Sequence, residues 1–116
     1  MLGDAITHAI NNAAMNHLTK YLARELAKDQ ITVNAVVPGI VSTEWREGWA
    51  ENIGKQQGKT KAEFLNDYMN KIGILAGRWA SMEEVTDSVM FLASDRARYI
   101  NGIELPVDGG HSVNVR

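Results

Sequence analysis

Cysteine is absent from this chain of 116 residues, and only two prolines interrupt it. Without a thiol the chain can hold no disulfide framework, no zinc–thiolate site and no cysteine nucleophile, which fits a reducing compartment. Apolar runs of membrane-spanning length are also missing, and the first twelve residues lack the basic segment and the apolar core of a secretory signal. We therefore expect a cytoplasmic protein without a membrane segment.

An excess of charge of either sign is missing as well. The chain has 12 Lys and Arg residues against 14 Asp and Glu residues, and its formal net charge is -2. This balance provides no broad positive field, so we expect neither nucleic acid nor anionic lipid as a partner. The remaining composition, 45% hydrophobic and 22% charged, is typical of a globular protein, and the length suits one modest domain or about half of a larger one.

Hydrophobic periodicity predicts the order helix, strand, loop, helix, helix, strand. The first helix should cover residues 4–29, and its apolar residues recur at every fourth position. This apolar stripe, which we expect to be buried, consists of Ile6, Ile10, Ala14, Leu18, Leu22 and Leu26. The next segment, ITVNAVVPG, is rich in β-branched residues and apolar on both faces, which is typical of a buried parallel strand over residues 31–37.

The middle of the chain holds a loop and then a capped helix. Residues 40–58 show no clear period, so we interpret them as a loop with one short helix around residues 44–51. Thr60 followed by Glu63 is a capping-box signature, because each side chain can accept a hydrogen bond from the backbone N–H of the other residue. It predicts a helix over residues 61–72.

The last helix and strand complete the pattern. Ser81 followed by Glu84 repeats the capping signature and predicts a helix that ends near Ser94. Its buried face should consist of Val85, Val89, Leu92 and Ala93. A short strand follows within GIELPVDGG, and strands separated by helices favour a parallel sheet. Two strands alone make a marginal sheet with an unpaired edge, so we predict that the isolated chain is not a stable monomer.

Three stretches of the chain share a family pattern in order and spacing: NAAMNHLTKYLARELA, ITVNAVVPGIVST and GRWASMEEVTDSVMFLASDRARYINGIELPVDGG. Together they resemble the C-terminal half of the short-chain dehydrogenase/reductase family. The resemblance implies an α/β fold, a partial Rossmann-like sheet that holds the last two strands of a doubly wound fold and their helices. Residues 1–116 would then form a single partial domain. The implied function is NAD(P)-dependent oxidation or reduction of alcohol and ketone groups, with NAD or NADP as the cofactor.

The resemblance also implies a cofactor-binding loop after the first strand. Pro38, Gly39 and Ile40 would flank the nicotinamide, and Thr43 would bond its carboxamide or the pyrophosphate. The residue types suit this role, because glycine lets a flat ring approach the backbone and a hydroxyl can both donate and accept. A second interpretation stays open, since Pro-Gly is a common turn and Thr43 can cap a following helix.

By resemblance, residues 40–80 form the family's substrate-covering segment. Its large apolar residues could line a substrate pocket or lid, and the glycines at 48, 54 and 58 would let such a lid move. The alternative is that these side chains pack a helix onto the core. The residues concerned are Trp45, Trp49, Phe64, Tyr68 and Met69.

Two signatures of the family are missing from this chain. No stretch follows the phosphate-cradling pattern G-x-x-x-G-x-G behind an apolar strand. The family's catalytic Tyr-x-x-x-Lys belongs on the first helix, where His8 and Asn12 occupy the tyrosine and lysine places. A neutral imidazole can shuttle a proton, but Asn12 cannot supply the positive charge that lowers a tyrosine pKa. We therefore predict no catalytic residue, and we expect Asp108 to brace the turn after the last strand.

The chain is thus identified as a family member that is catalytically incomplete as it stands. It would be a fragment of a longer enzyme or the product of a truncated, degenerate gene. The alternative is a non-enzymatic module that builds a homo-oligomer or complements a separate N-terminal half. We predict no metal site, because His17 and His111 lack acidic partners at ligand spacing.

Overall fold

The computed structural model describes residues 2–113, with side chains from residue 6 onward. It confirms the α/β class and the order of the main elements. The helices are α1 (Leu2–Leu26), α2 (Glu44–Gln56), α3 (Lys61–Ile72) and α4 (Met82–Leu92), and the strands are β1 (Ala35–Pro38) and β2 (Glu104–Val107). Short 3-10 turns cover Ala27–Asp29 and Asp95–Ala97.

Contacts divide the described chain into two compact units. The first unit holds residues 2–36 and 90–105, and the second unit holds residues 37–89 and 106–113. Within residues 2–113, no helix combines the length and the apolar character that crossing a membrane requires. The same residues contain no group of three or more His, Cys, Asp and Glu side chains that could bind a metal ion.

β1 and β2 form a parallel pair. The Ala35 N–H donates to the Ile103 carbonyl at 2.9 Å, and the Gly39 N–H donates to the Val107 carbonyl at 3.0 Å. The predicted start of the first strand, at residue 31, is wrong, because β1 begins at Ala35. The prediction of burial on both faces is also wrong: β1 is half-buried and its Pro38 is exposed, since the described sheet has only two strands.

Two asparagine side chains replace strand pairing ahead of β1. The Val33 N–H donates to Asn101 Oδ1 at 2.8 Å, and the Ile103 N–H donates to Asn34 Oδ1 at 3.2 Å. The amide nitrogens donate in turn to backbone carbonyls, Asn34 to Ile100 at 2.9 Å and Asn101 to the carbonyl of an α1 residue at 3.2 Å. Such side-chain bonds compete with a regular ladder, which explains the late start of β1. We call Asn34 and Asn101 the asparagine clasp.

The packing face of α1 differs from the apolar stripe that the sequence predicts. The buried side chains of this helix are Thr19, 6% exposed, and Ala23, 5% exposed, and Lys20 beside them forms an ion pair with Glu104 at 2.9 Å. The stripe is largely exposed, with Ile10 at 64%. The prediction of a buried stripe is wrong because α1 is apolar on more than one side, and the described elements cover the side with small and polar residues.

The second unit has an apolar core of its own, built by α2, α3 and the segment that follows them. Its buried members are Ala50, Phe64, Met69, Ile74 and Trp79. Trp49 meets Phe64 edge-on, with ring centres 5.5 Å apart. A Cβ on Gly54 would lie 3.3 Å from the Lys59 carbonyl oxygen, so this glycine lets the chain turn closely from α2 into α3. α2 is a full helix, longer than the short one predicted, because its inner face has this core to pack against.

The capping box of α3 is confirmed. Thr60 Oγ1 accepts from the Glu63 N–H at 3.2 Å, and a Glu63 carboxylate oxygen accepts from the Thr60 N–H at 2.8 Å. α3 covers the predicted residues 61–72 and ends at Gly73, whose φ of 76° is a conformation that favours glycine.

The same capping arrangement opens α4. Ser81 Oγ accepts from the Glu84 N–H at 3.2 Å, and Glu84 accepts from the Ser81 N–H at 2.8 Å. The helix ends at Leu92, close to the predicted end at Ser94. Its predicted buried face is wrong: Val85 and Leu92 are half-buried, while Val89 and Ala93 are exposed. Helical spacing identified an apolar face, but no described element covers that face.

Candidate functional site

The loop 38–43 begins at the last residue of β1 and lies against the turn that follows β2. A Cβ added to Gly39 would lie 2.8 Å from Asp108 Cα and 2.9 Å from Asp108 Cβ, closer than real side chains approach. The Gly39 N–H is also bonded to the Val107 carbonyl. Glycine is therefore required at this position by the neighbouring chain segment itself. Sequence reasoning missed this role, because the contact joins segments that are distant in sequence.

Ala80 fixes the other side of the same loop. Its N–H donates to the Ile40 carbonyl at 2.9 Å, and its carbonyl accepts from the Ser42 N–H at 2.8 Å. These bonds form an isolated parallel bridge between Val41 and Ala80. The backbone of the loop is therefore held on two sides, by Ala80 and by the turn after β2. No spacing pattern in the sequence indicates Ala80, and only the pairing in the fold identifies it.

Thr43 ends the loop and begins α2. Its Oγ1 accepts from the Arg46 N–H at 3.4 Å, and its backbone is extended, as an N-cap requires. The capping interpretation is thus confirmed. Among residues 2–113 the Thr43 hydroxyl donates to no acceptor, so its hydrogen remains available to a ligand.

Glu47 connects the loop to the two helices that follow. The Ser42 hydroxyl donates to its carboxylate, and Lys61, at the start of α3, forms an ion pair with it. The bond from Lys61, followed by the bond from Ser42, lowers the pKa of Glu47 below its ordinary value. The carboxylate is therefore charged at neutral pH and stabilises the orientation of the loop.

Asp108 braces the turn after β2, as the sequence predicts. Its carboxylate accepts from the Gly110 N–H and from the Ser112 N–H, both at 2.9 Å. The bonds from Ser112, with a smaller contribution from Gly110, lower the pKa of Asp108. Gly110 has a φ of 82°, and a Cβ there would lie 2.9 Å from a Leu75 methyl carbon. The carboxylate therefore accepts hydrogen bonds from its own turn and stabilises the conformation of that turn.

A cleft of about 240 Å³ lies beside this turn, and Ile40, Arg78 and Glu84 also border it. Arg78 and Glu84 form a double hydrogen bond at 2.6 Å and 2.8 Å. The bond from Arg78 and the backbone bond from Ser81 lower the pKa of Glu84 to about 2. The charges that border the cleft are therefore already paired with each other or with the turn.

His8 and Asn12 lie four residues apart on α1, in the first unit, and both are exposed. In the described part of the chain neither side chain has a hydrogen bond or an ion pair. The loop residues Pro38, Gly39, Ile40 and Thr43 lie together in the second unit. Among them the Thr43 hydroxyl has a hydrogen available, which is the kind of donor that a carboxamide or a phosphate oxygen would need. A glycine-rich loop that could cradle phosphates is missing from the sequence.

The large apolar residues of the segment 40–80 divide into two groups. Phe64 and Met69 are buried in the core, which favours the packing interpretation for them. Trp49 and Tyr68 are half-buried and meet edge-on, with ring centres 5.7 Å apart. Trp45 is 72% exposed. Among these residues it is therefore Trp45 that the packing interpretation leaves unexplained.

Comparison with known proteins supports the resemblance. Residues 3–112 match the family model described as Enoyl-(Acyl carrier protein) reductase. Tropinone reductase-like 2 of Erythroxylum coca is 39% identical over 51 residues, which are 44% of this chain and 18% of that protein. The structure of L-sorbose reductase from Gluconobacter frateurii, complexed with NADPH and L-sorbose, superposes with a TM-score of 0.81 and 32% identity, over 91% of this chain and 40% of that one.

An NADPH-bound short chain oxidoreductase from Pseudomonas aeruginosa, described as containing an atypical catalytic center, also resembles this chain. Its TM-score is 0.72 and its identity 25%, over 89% of this chain and 37% of that one. The chain thus spans about two fifths of the length of these solved structures.

Proposed function

Since the chain belongs to the short-chain dehydrogenase/reductase family, we propose that it does the work of the C-terminal half of an NAD(P)-dependent oxidoreductase acting on alcohol or ketone groups. On its own, the chain is catalytically incomplete. It supplies one wall of the cofactor site and the segment 40–80 that covers the substrate, within a single partial domain of residues 1–116. We also propose that it works in the cytoplasm and binds no nucleic acid.

The observation that carries this proposal is the double support of the loop 38–43. Ala80 holds Ile40 and Ser42 through two backbone hydrogen bonds, and the turn at Asp108 holds Gly39. A loop fixed in this way costs little ordering entropy when a ligand binds to it. Ligands of doubly wound sheets bind beyond the carboxyl ends of the strands, which is where this loop follows β1.

Within the loop, Thr43 has a hydroxyl hydrogen that is available to a ligand. Its hydroxyl hydrogen can be donated to the carboxamide or to a phosphate oxygen of the cofactor, while its oxygen keeps the cap of α2. Pro38, Gly39 and Ile40 would contact the nicotinamide ring. NAD or NADP would supply the hydride acceptor or donor, and the residues of this chain would orient it.

The catalytic tyrosine and lysine of the family are missing from α1. His8 stands at the place of the family's tyrosine, and Asn12, which is neutral, stands at the place of its lysine. The sequence also lacks the glycine-rich stretch that would cradle the pyrophosphate. We therefore expect no activity and no tight cofactor binding from the isolated chain.

Titration of the isolated chain with NADPH, followed by nucleotide fluorescence, is the direct test. We expect no saturable change. The second step joins this chain to the N-terminal part of L-sorbose reductase that precedes the matched region. The chimera should bind NADPH, and it should reduce a ketone only after His8→Tyr and Asn12→Lys restore the family's pair. A folded chimera that binds no NADPH would refute the proposed cofactor wall.

Thr43 provides a matched control in that chimera. Thr43→Ser keeps both the cap and the hydroxyl donor and should leave NADPH affinity unchanged. Thr43→Val removes both, and we expect NADPH to bind several-fold more weakly. Circular dichroism of both variants separates loss of the α2 cap from loss of the ligand bond. If the two variants bind NADPH with equal affinity, the Thr43 hydroxyl does not contact the cofactor.

A second candidate function is assembly, either as a homo-oligomer or with a separate N-terminal half. It is favoured by the exposed apolar stripe of α1 and by the free edge of β1, which pairs with no further described strand. Light scattering at low micromolar concentration should report a species larger than the monomer. A compact monomer would exclude the homo-oligomer, and co-purification from the source would then test the complementing half.

A further inference from the structure

The dipeptide Asn101–Gly102 lies just before β2, in the first unit. Asn101 is the one asparagine of the sequence that glycine follows. An asparagine side chain in this context can react with the backbone nitrogen of the next residue, because glycine has no Cβ to hinder the approach. The dipeptide therefore joins one residue of the asparagine clasp to a partner that makes it chemically reactive.

The contacts of the first unit explain why asparagine stands at position 101. The Asn101 side chain accepts from the Val33 N–H at 2.8 Å and donates to the Ala23 carbonyl at 3.2 Å. An aspartate could only accept, and an apolar side chain could do neither. Among side chains of this length, only asparagine serves both backbone groups.

The backbone explains why glycine follows. Gly102 has a φ of 76°, a conformation that favours glycine. Its N–H donates to the Val33 carbonyl at 2.8 Å, and the carbonyl of the next residue, Ile103, accepts from the Ala35 N–H at 2.9 Å. The segment after Asn101 is thus paired with residues 33–35, and this pairing leads into the β1–β2 sheet. The fold requires both residues of the reactive dipeptide.

Hydrogen bonds block the reaction in the closed clasp. Ring closure requires the Gly102 nitrogen to lose its hydrogen and to attack Cγ of Asn101. That hydrogen is bonded to the Val33 carbonyl, and the two ends of the Asn101 amide are held by Val33 and by Ala23. Asn101 is nevertheless exposed to solvent. Protection therefore depends on these hydrogen bonds and not on burial, and local opening of the first unit would remove it.

We propose that Asn101 is a site of spontaneous deamidation that reacts only when the asparagine clasp opens, and that its products prevent the clasp from closing again. The Gly102 nitrogen forms a bond to Asn101 Cγ, and the bond from Cγ to the side-chain nitrogen breaks. That nitrogen leaves as ammonia and carries the proton that Gly102 gives up. Water then opens the resulting succinimide at either of its two carbonyl carbons, which yields aspartate or isoaspartate. Water is the only co-reactant.

Both products are incompatible with the closed clasp. Aspartate has no hydrogen to donate to the Ala23 carbonyl, and its negative charge is repelled by that oxygen. Isoaspartate routes the main chain through the former side chain and lengthens the backbone by one atom. The pairing of Gly102 and Ile103 with residues 33–35 then loses its register. The proposal concerns the first unit alone and does not rest on the proposed oxidoreductase function.

The first test compares the folded full chain with the same chain in urea, at mildly alkaline pH. Mass spectrometry of tryptic peptides locates each deamidated asparagine. In urea Asn101 should react well before Asn34, which precedes an alanine. In the folded chain Asn101 should react roughly tenfold more slowly or less, because the rate follows the open fraction. Equal rates in the two states, or equal rates at Asn101 and Asn34 in urea, would overturn the proposal.

The second test opens the clasp from its other side. Asn34→Ala leaves Asn101–Gly102 intact but removes the bonds to Ile100 and Ile103. Hydrogen exchange at the Gly102 amide and deamidation of Asn101 should accelerate by the same factor. Circular dichroism checks that the variant is folded; if it is not, Asn34→Asp, which keeps the acceptor for Ile103, replaces it. Faster exchange without faster deamidation contradicts the proposal, and so does an unchanged rate of both.

The third test reproduces one of the products. Asn101→Asp should lower the melting temperature by several degrees, because it replaces a hydrogen bond to the Ala23 carbonyl by repulsion. Asn70→Asp makes the same change at an exposed asparagine of α3, outside the clasp, and should have much less effect. Equal shifts in the two variants, or no shift for Asn101→Asp, would show that the clasp tolerates the product, and the proposal would be wrong.

Discussion

The two units of this molecule bury different kinds of side chain. In the first unit the buried residues are small, Thr19 and Ala23 on α1 and Ala97 in a turn. In the second unit they include Phe64, Met69 and Trp79. The first unit nevertheless carries large apolar residues, which remain exposed on α1 and at the end of α4. The second unit is therefore stabilised by its own core, whereas the described contacts of the first unit are those of small side chains, side-chain amides and an ion pair.

The strongest way to test this difference is truncation of one large side chain in each unit. Phe64→Ala should lower the free energy of unfolding by about 3–5 kcal/mol, because it leaves a cavity in a packed core. Leu18→Ala, at a side chain that is 46% exposed, should stay within about 0.5 kcal/mol when the chain is measured as a monomer. Urea unfolding followed by tryptophan fluorescence measures both. A large loss for Leu18→Ala would show that the face of α1 is covered in solution.

A smaller loss of stability is expected at Gly39, because the backbone of Asp108 approaches it closely. Gly39→Ala forces a Cβ against Asp108, and should lower the free energy of unfolding by about 1–3 kcal/mol. Gly48→Ala is the matched control in open space and should raise it by up to about 1 kcal/mol. Thermal unfolding of the two variants should therefore shift in opposite directions. A stabilising Gly39→Ala would mean that the loop 38–43 is less fixed than described.

The smallest expected effect is on the stability of the fold at acidic pH. A carboxyl group whose pKa is lower in the folded than in the unfolded chain stabilises the fold above its unfolded pKa, and this contribution is lost as the pH falls through the folded pKa. For Glu84 that window runs from about 4.5 down to about 2. Glu84→Gln should therefore lower the melting temperature slightly at pH 7 and flatten its decline between these values. An unchanged decline would mean that the pair with Arg78 contributes nothing in solution.

Local signals in the sequence predicted part of this fold well. The capping pairs at Thr60 and Ser81 located the starts of two helices, because both partners lie within four residues of each other. The start of β1 was missed because Asn34 is bonded to residues more than 60 positions away. The packing face of α1 was missed because a periodic apolar pattern identifies a helix but does not say which described element will cover it.

The candidate site was predictable to a similar extent. The position of the loop 38–43 followed from the family resemblance, and the cap at Thr43 from its neighbours in sequence. Ala80 and the close approach of Asp108 to Gly39 could not be predicted, since each contact joins segments that only the folded chain brings together. The assignment of Pro38, Gly39, Ile40 and Thr43 to a cofactor stays a prediction.

The asparagine clasp also has a consequence for the order in which the chain folds. Its hydrogen bonds join residues 66 to 78 positions apart, so they can form only after a long loop has closed. Closing such a loop has an entropic cost that α2 and α3, which are adjacent in sequence, do not incur. We infer that these helices fold early and that β1 forms its pair only after β2 has been synthesised. During that interval the edge of β1 that pairs with β2 is unpaired, which favours aggregation of the nascent chain.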